Sequence, residues 1–396
     1  MVPDTRENWI EIDINAVLNN LQAVRQTIDD HVRLIAVLKA NAYGHGACEI
    51  AHLLSQHGVK YFAVSFLYEA MQLRKSGLKD NIMLFSPVCT EAQAAEAVDN
   101  NITLTIASMY DATVIGNACE RLNREATVHL KIDTGLGRFG MDGDEAQTVW
   151  DFIKENPRIY LEGIYTHMAQ AAANSSYTVK QFNDFAQVIK RLEDNGCFIP
   201  VKHCANSAVL LKYPQMRMNA VRVGTLLSGQ VPAGVRSDLK LIDPYQFKSR
   251  IISVRLVKAG SRLGYYSIYR LRRDALIAVI PVGFSDGLAL EVDNKPAGFT
   301  DLLKHLVKKV LSYLNVPRFN LYVSIKGRNY PVRGKVFMQM ALIELPLGTD
   351  VRVGDEVTVP VRKTLASSAL TRVYIQDGVP VKMGREERTT YFLEES

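Results

Sequence analysis

The chain has 396 residues, 47% of them hydrophobic and 22% charged. At about 100–200 residues per domain, that length implies two or three domains with ordinary cores. Such a composition excludes a mostly disordered chain, a collagen-like chain and a disulfide scaffold. The formal charge of +6 comes from 47 Lys and Arg against 41 Asp and Glu, spread along the chain. No clustered basic footprint marks a nucleic-acid partner. The five cysteines include no Cys-x-x-Cys pair, so neither a zinc knuckle nor a disulfide framework is expected, and no metal is assigned. Met1–Trp9 lacks the apolar stretch of a signal peptide, and no run of about 18 apolar residues marks a membrane span. The expectation is a cytosolic protein without a membrane partner.

From residue 11 to about 240 the pattern alternates regularly. β-rich runs are predicted at Arg33–Lys39, Tyr61–Ser65, Ile82–Ser86, Thr103–Ala107 and Val128–Asp133, then at Tyr160–Thr166, Ile199–His203 and Ala220–Val223. Between them lie segments with helical spacing, such as Phe182, Phe185, Val188, Ile189 and Leu192 before Gly196. Strands alternating with helices imply right-handed βαβ units and a parallel sheet. Eight such strands over roughly 200 residues predict a closed (β/α)₈ barrel. An open doubly wound sheet has little support, since no Gly-x-Gly-x-x-Gly follows the first strand.

Residues 241–396 change rhythm and predict a mostly β domain, joined by about residues 1–10. Its expected strands are Ile251–Lys258, Ala275–Pro281, Leu321–Ile325, Val336–Leu345, Glu356–Val361 and Thr371–Ile375. One helical insertion interrupts them at Asp301–Leu314, with Thr300 as the expected N-cap and Lys304, Lys308 and Lys309 on a solvated face. Trp9–Asp13 reads as a strand able to pair with this domain.

Reactive groups of such barrels sit at the C-terminal strand ends. The first strand ends at Lys39, where burial would lower the ammonium pKa and suit it to Schiff-base chemistry. A rim lysine reaching solvent remains open at this point. After the seventh and eighth strands, His203-Cys204-Ala205-Asn206-Ser207 and Val221-Arg222-Val223-Gly224-Thr225 offer hydroxyl and backbone donors for an anion. With the lysine, they suggest a phosphate-bearing aldehyde, pyridoxal 5'-phosphate.

Lys39-Ala40-Asn41-Ala42-Tyr43-Gly44-His45-Gly46 resembles the cofactor-lysine signature of the fold-type III alanine racemases. The resemblance continues through Lys131-Ile132-Asp133-Thr134-Gly135-Leu136-Gly137-Arg138, Tyr165-Thr166-His167, Gly264-Tyr265, Pro281–Gly287 and Thr371-Arg372-Val373-Tyr374. It implies that Lys39 carries the cofactor and serves as one of two catalytic bases. Tyr43, Asn206, Ser207, Gly224 and Thr225 would hold the phosphate end, and Arg222 would face the pyridine nitrogen. His167 would pack on the ring. Tyr265 would be the second base, delivered by a partner subunit in a homodimer with shared sites. Arg138 and Met338 would contact the amino-acid substrate, with Lys131 supporting Arg138; that lysine is carbamylated in many members. The implied reaction is racemisation of L-alanine to D-alanine, a cell-wall precursor. A decarboxylase of the same fold type and a non-catalytic cofactor-binding protein are the alternatives.

Departures from the family pattern cluster at the substrate end. Phe337-Met338-Gln339 stands where the family reads Cys-Met-Asp, and Phe284 replaces an entrance tyrosine. The loop at Val359-Pro360-Val361-Arg362 looks shorter and offers no tyrosine, whereas Glu291–Arg333 looks longer. These changes imply a loosened pocket beside the substrate side chain.

Overall fold

The computed structural model describes residues 7–291, 296, 298–314, 316 and 319–384. It divides into two compact units: Asn15–Pro244, and the described residues up to Ile14 together with those from Tyr245 onward.

The first unit is a ring of eight parallel strands separated by helices. In chain order the strands are Arg33–Val37, Tyr61–Val64, Asn81–Leu84, Ile102–Ile106, Ala126–Lys131, Ile159–Tyr165, Val201–His203 and Ala220–Val223. The first seven each pair with their chain neighbours, and the eighth pairs with the first, with Ile35 opposite Arg222. Between the seventh and eighth, the ring closes through the Ala205–Val221 bridge, where the Arg222 N–H donates to the Ala205 carbonyl at 2.9 Å. The strands are buried nearly end to end, as expected where helices cover a parallel sheet. Ile35, Val37, Tyr61, Ala63, Met83, Tyr165, Val201 and Ala220 form one core cluster within this ring. Helices start where side chains satisfy free N–H groups. Ser108 accepts from Asp111, Asp142 from Asp144 and Glu145, and Asn174 from Tyr177.

The second unit is built on a ten-stranded sheet. From edge to edge it runs Ser253–Val257, Ala275–Ile280, Ala341–Leu345, Arg328–Arg333, Tyr322–Ile325, then Glu356–Val359, Tyr245–Arg250, Asn8–Asp13, Arg372–Gln376 and Val379–Gly384. Asn8–Asp13 pairs antiparallel with Tyr245–Arg250 and parallel with Arg372–Gln376. Trp9, Ile10 and Ile12 are fully buried there. A separate ribbon, Arg262–Leu263 with Tyr269–Arg270, carries Tyr265 in the turn between its strands.

Sequence expectations are corrected in three places. Residues Val336–Met340 are not strand; they form a turn closed by the Phe337 N–H donating to the Met340 carbonyl at 2.9 Å, and the strand begins at Ala341. The strands Tyr245–Arg250, Arg328–Arg333 and Val379–Gly384 were not expected, because their polar or proline-bearing runs lack an apolar signal. The helix spans Phe299–Tyr313 with Gly298 at its N-cap, so Thr300 lies inside the first turn instead of capping it. Its lysines are exposed as expected, but so are Leu303, Leu306 and Val310 on the apolar side.

Candidate active site

The first barrel strand runs through Leu38 directly into Lys39. Ala40, Asn41, Ala42 and Tyr43 then adopt φ of 51–55°, a left-handed turn closed by Gly44. Such a conformation costs a non-glycine residue about 1–2 kcal/mol, so the surroundings must impose it. Glu69 does so from the next βα unit. One of its oxygens accepts the Ala40 N–H at 2.6 Å, and the other accepts the N–H groups of Ser65 and Phe66 at 2.9 and 3.0 Å. Asn41 adds a bond from the Ala47 N–H at 2.5 Å. The turn brings Tyr43 back beside Lys39. Nothing in Ala40-Asn41-Ala42 announces it, since no glycine occupies the strained positions.

Lys39 and Tyr43 line a cavity of about 380 Å³ at the C-terminal strand ends, together with Arg138, His167, Asn206, Ser207, Arg222, Gly224 and Thr225. Burial and then the Arg138 charge hold the Lys39 ammonium below the usual lysine range, partly offset by Glu69. Burial pushes the Tyr43 hydroxyl up to about 12, so it remains a protonated donor. A Cβ on Gly224 would stand 2.4 Å from that hydroxyl oxygen, so only glycine admits Tyr43 here. Asn206 reaches the cavity but spends its side-chain oxygen capping Ala208 and Val209, which leaves the Ser207 hydroxyl as the freer donor.

Arg222 is buried behind this face. It donates to His203 Nδ1 at 2.8 Å and to the Thr166 carbonyl at 2.8 Å, with longer bonds to the His203 and Cys204 carbonyls. Burial lowers its pKa to about 10, which leaves it a cation at neutral pH. Burial, followed by the charges of Arg222 and Arg138, lowers His167 to about 3 and keeps it neutral. Arg138 sits on a loop whose shape is set by Asp133, which accepts the N–H groups of Gly135, Leu136 and Gly137. Lys131 does not line the cavity. It is buried, donates to the Ile132 carbonyl at 2.6 Å, and is lowered to about 8, chiefly by burial.

Tyr265 and Met338 belong to the other unit and are 64% and 62% exposed. The Tyr265 ring meets Phe337 edge-on at 5.1 Å between centroids. Met338 is placed by its carbonyl, which accepts the Ser285 hydroxyl at 2.7 Å and the Ser285 N–H at 3.0 Å. Gly283 permits this, because a Cβ there would meet the Met338 carbonyl oxygen at 2.1 Å.

Two family models cover most of the chain: the alanine racemase N-terminal domain over residues 12–232 and the alanine racemase C-terminal domain over 245–373. The chain belongs to the alanine racemase family. It is 33% identical over 356 residues to the alanine racemase of Methanococcus maripaludis, covering 89% of this chain and 88% of that one. Alanine racemase 1 of Oceanobacillus iheyensis is 31% identical over 362 residues, covering 90% and 89%. Among solved structures, alanine racemase from Clostridium difficile 630 aligns with a TM-score of 0.85 at 28% identity, over 96% of this chain and 99% of that one. Bacillus anthracis alanine racemase with bound L-Ala-P aligns at 0.82 and 26% identity, over 97% and 99%. Like its family, this protein is an amino-acid racemase, an isomerase that uses pyridoxal 5'-phosphate.

The racemase cavity fits that cofactor on its own chemistry. The glycine-made space at Gly224, the protonated Tyr43 hydroxyl and Ser207 suit a phosphate, and Lys39 is an amine with a depressed pKa. Arg222 offers N–H donors to a ring nitrogen lone pair and cannot readily surrender a proton. Sequence reasoning passed over Tyr165, although the Tyr165-Thr166-His167 run contained it. Its ring lines the cavity and stacks on His203 at 5.0 Å, and its hydroxyl bonds Thr105 at 2.9 Å. Ser65, Phe85 and Ser86 also line the cavity, and only their strand-end positions could have flagged them.

Proposed function

We propose that this racemase interconverts L- and D-alanine by a two-base mechanism. The observation that carries the reading is the shared cavity of Lys39, Arg138 and Arg222, an amine of lowered pKa lining the same space as two guanidinium groups. When bound, pyridoxal phosphate supplies the electron sink that makes the substrate Cα–H acidic. Tyr43, Ser207 and the backbone at Gly224 and Thr225 hold its phosphate, and Asn206 shapes the Ser207 turn. Arg222, a permanent cation, leaves the ring nitrogen unprotonated, which limits charge delocalisation and so disfavours protonation at the wrong carbon. His167, neutral, packs beside the ring. Arg138 binds the substrate carboxylate, and Lys131, close enough to feel the Arg138 charge, helps to set its orientation. Lys39 moves a proton at Cα on one face.

The opposite face needs a second base, for which we propose Tyr265 of a partner subunit. Its exposure, along with that of Tyr266, Ile268 and Met338, supports a homodimer in which this surface is covered. Met338 then contributes a substrate contact. Among the described residues no helix is long and apolar enough to cross a membrane, which fits action in the cytoplasm. Phe284 and Gln339 remove a hydroxyl and a carboxylate that the family places near the entrance, so the pocket is looser than usual.

A chiral assay of the cofactor-loaded protein with alanine, serine, lysine and arginine tests this. Alanine should racemise, with serine within about a hundredfold in kcat/KM, because an added hydroxyl in available space changes affinity by only about 1–3 kcal/mol. Release of CO₂ without racemisation would refute the reading.

A further inference from the structure

Behind Arg222 the barrel interior holds a chain of polar side chains that the reaction above does not use. Glu162 lies on the sixth strand, with one oxygen 3.0 Å from His129 Nε2 and 2.5 Å from the Tyr61 hydroxyl. Its other oxygen is 2.9 Å from an Arg33 nitrogen. His129 Nδ1 lies 2.9 Å from His203 Nε2, and His203 Nδ1 lies 2.8 Å from Arg222. Both imidazoles are fully buried and are held neutral, chiefly by burial. Burial alone would raise the Glu162 carboxyl, but the bonds from His129, Tyr61 and Arg33 outweigh it and hold it below the usual carboxylate range.

With Glu162 ionised and both imidazoles neutral, these contacts admit one arrangement of protons. An ionised carboxylate only accepts, so His129 carries its hydrogen on Nε2 and presents Nδ1 as an acceptor. His203 therefore donates from Nε2 to His129, and its own Nδ1 is left to accept from Arg222. All the bonds point one way, from guanidinium to carboxylate. The backbone is adapted to this chain. A register shift falls between Val128 and His129, opposite Gly163, and a Cβ on Gly163 would stand 2.6 Å from the His129 ring. A glycine and a bulge in the middle of two barrel strands thus make room for one imidazole.

We propose that Glu162, His129 and His203 form a positioning relay that holds the Arg222 guanidinium in a single orientation for the ring nitrogen of the cofactor. This rests on the reading in which Arg222 faces that nitrogen. Without the Glu162 acceptor, His129 is free to take the other tautomer and donate from Nδ1 to His203. His203 then turns an N–H toward the N–H of Arg222, donor against donor, and the guanidinium is displaced. The ring nitrogen, no longer facing a cation, becomes easier to protonate.

The test is a pH titration of the ¹⁵N shift of ring-labelled pyridoxal phosphate bound to the full-length protein, with melting curves as a check on folding. Glu162→Leu and His129→Phe should each raise the ring-nitrogen pKa by about 1–3 units, the range expected when a nearby cation is lost. Glu162→Gln keeps a carbonyl to accept from His129 and should stay at the wild-type value, while Arg33 swings to solvent. If Glu162→Leu does not fold, His129→Phe decides alone. Melting temperatures that fall while the nitrogen titration stays put would reduce the chain to packing and overturn the relay. Arg222→Gln separates the two readings. If it leaves the nitrogen unmoved, the placement of Arg222 is wrong; if it moves the nitrogen and the relay variants do not, the relay alone is wrong.

Discussion

Gly224→Ala should weaken cofactor binding by displacing Tyr43. The new methyl would lie 2.4 Å from the Tyr43 hydroxyl oxygen and 2.5 and 2.7 Å from two ring carbons, whereas ordinary contact begins at 3.4 Å. The phenol must therefore retreat by roughly 1 Å, and overpacking of this kind costs about 1–3 kcal/mol. A hydrogen bond to a charged group is worth about 1.5–3 kcal/mol, and each 1.4 kcal/mol is tenfold in affinity. The dissociation constant for pyridoxal phosphate should rise roughly 10- to 100-fold, read by absorbance titration of cofactor-free protein. Tyr43→Ala removes both the collision and the hydroxyl, so adding Gly224→Ala to it should cost less than about 0.5 kcal/mol more. Wild-type affinity in the single variant, or losses that add in the double variant, would refute the link between the two residues.

Borohydride reduction of the holoenzyme should fix the cofactor on Lys39, and peptide mapping that finds it on Lys131 would remove Lys39 from its role. Lys131 itself should leave a mark on stability. Its pKa falls from 10.5 to about 8 in the folded protein, so between these values the unfolded chain binds the extra proton. Stability should therefore rise with pH across that window, by about 3 kcal/mol at most, and Lys131→Met should flatten the slope of melting temperature against pH. In bicarbonate the wild-type slope should also flatten if Lys131 is carbamylated, with the added CO₂ visible by native mass spectrometry. Mixing Lys39→Ala and Tyr265→Phe chains should restore part of the activity through one intact composite site per mixed dimer; inactivity despite proven subunit exchange would exclude shared sites.

The barrel was legible because its strands are buried on both faces and write themselves as short apolar runs between helical spacings. The Lys39 rim position followed from that rhythm. The turn after it did not, because its strain is imposed by Glu69, a tertiary neighbour on another βα unit. His129 and His203 read as ordinary polar interruptions of apolar strands, and no spacing says that they meet. Gly163 was the one local signal, a glycine in the middle of the strand Ile159–Tyr165. In the β unit, Arg328–Arg333 and Val379–Gly384 pair through their backbones, so their polar sequences gave no period to read.

What distinguishes the cavity electrostatically is its excess of positive charge, offset at Lys39 only in part by Glu69. Lys39, Arg138 and Arg222 line it, and no Asp or Glu does so among the described residues. Arg138 lowers the pKa of Lys39, and Arg222 and Arg138 lower those of Lys131 and His167. The cofactor-free protein thus carries mutual repulsion in a partly buried site, a cost that a phosphate dianion and a substrate carboxylate would relieve. Burial is the larger cause of the depressed Lys39 pKa, and Arg138, the cation that adds to it, would also attract an anion entering the cavity. Binding of an anion near Arg138 should raise the Lys39 pKa again, so the base is strongest as an acceptor once substrate is in place. Affinity and base strength are therefore set together, by the three cations Lys39, Arg138 and Arg222 that line one cavity.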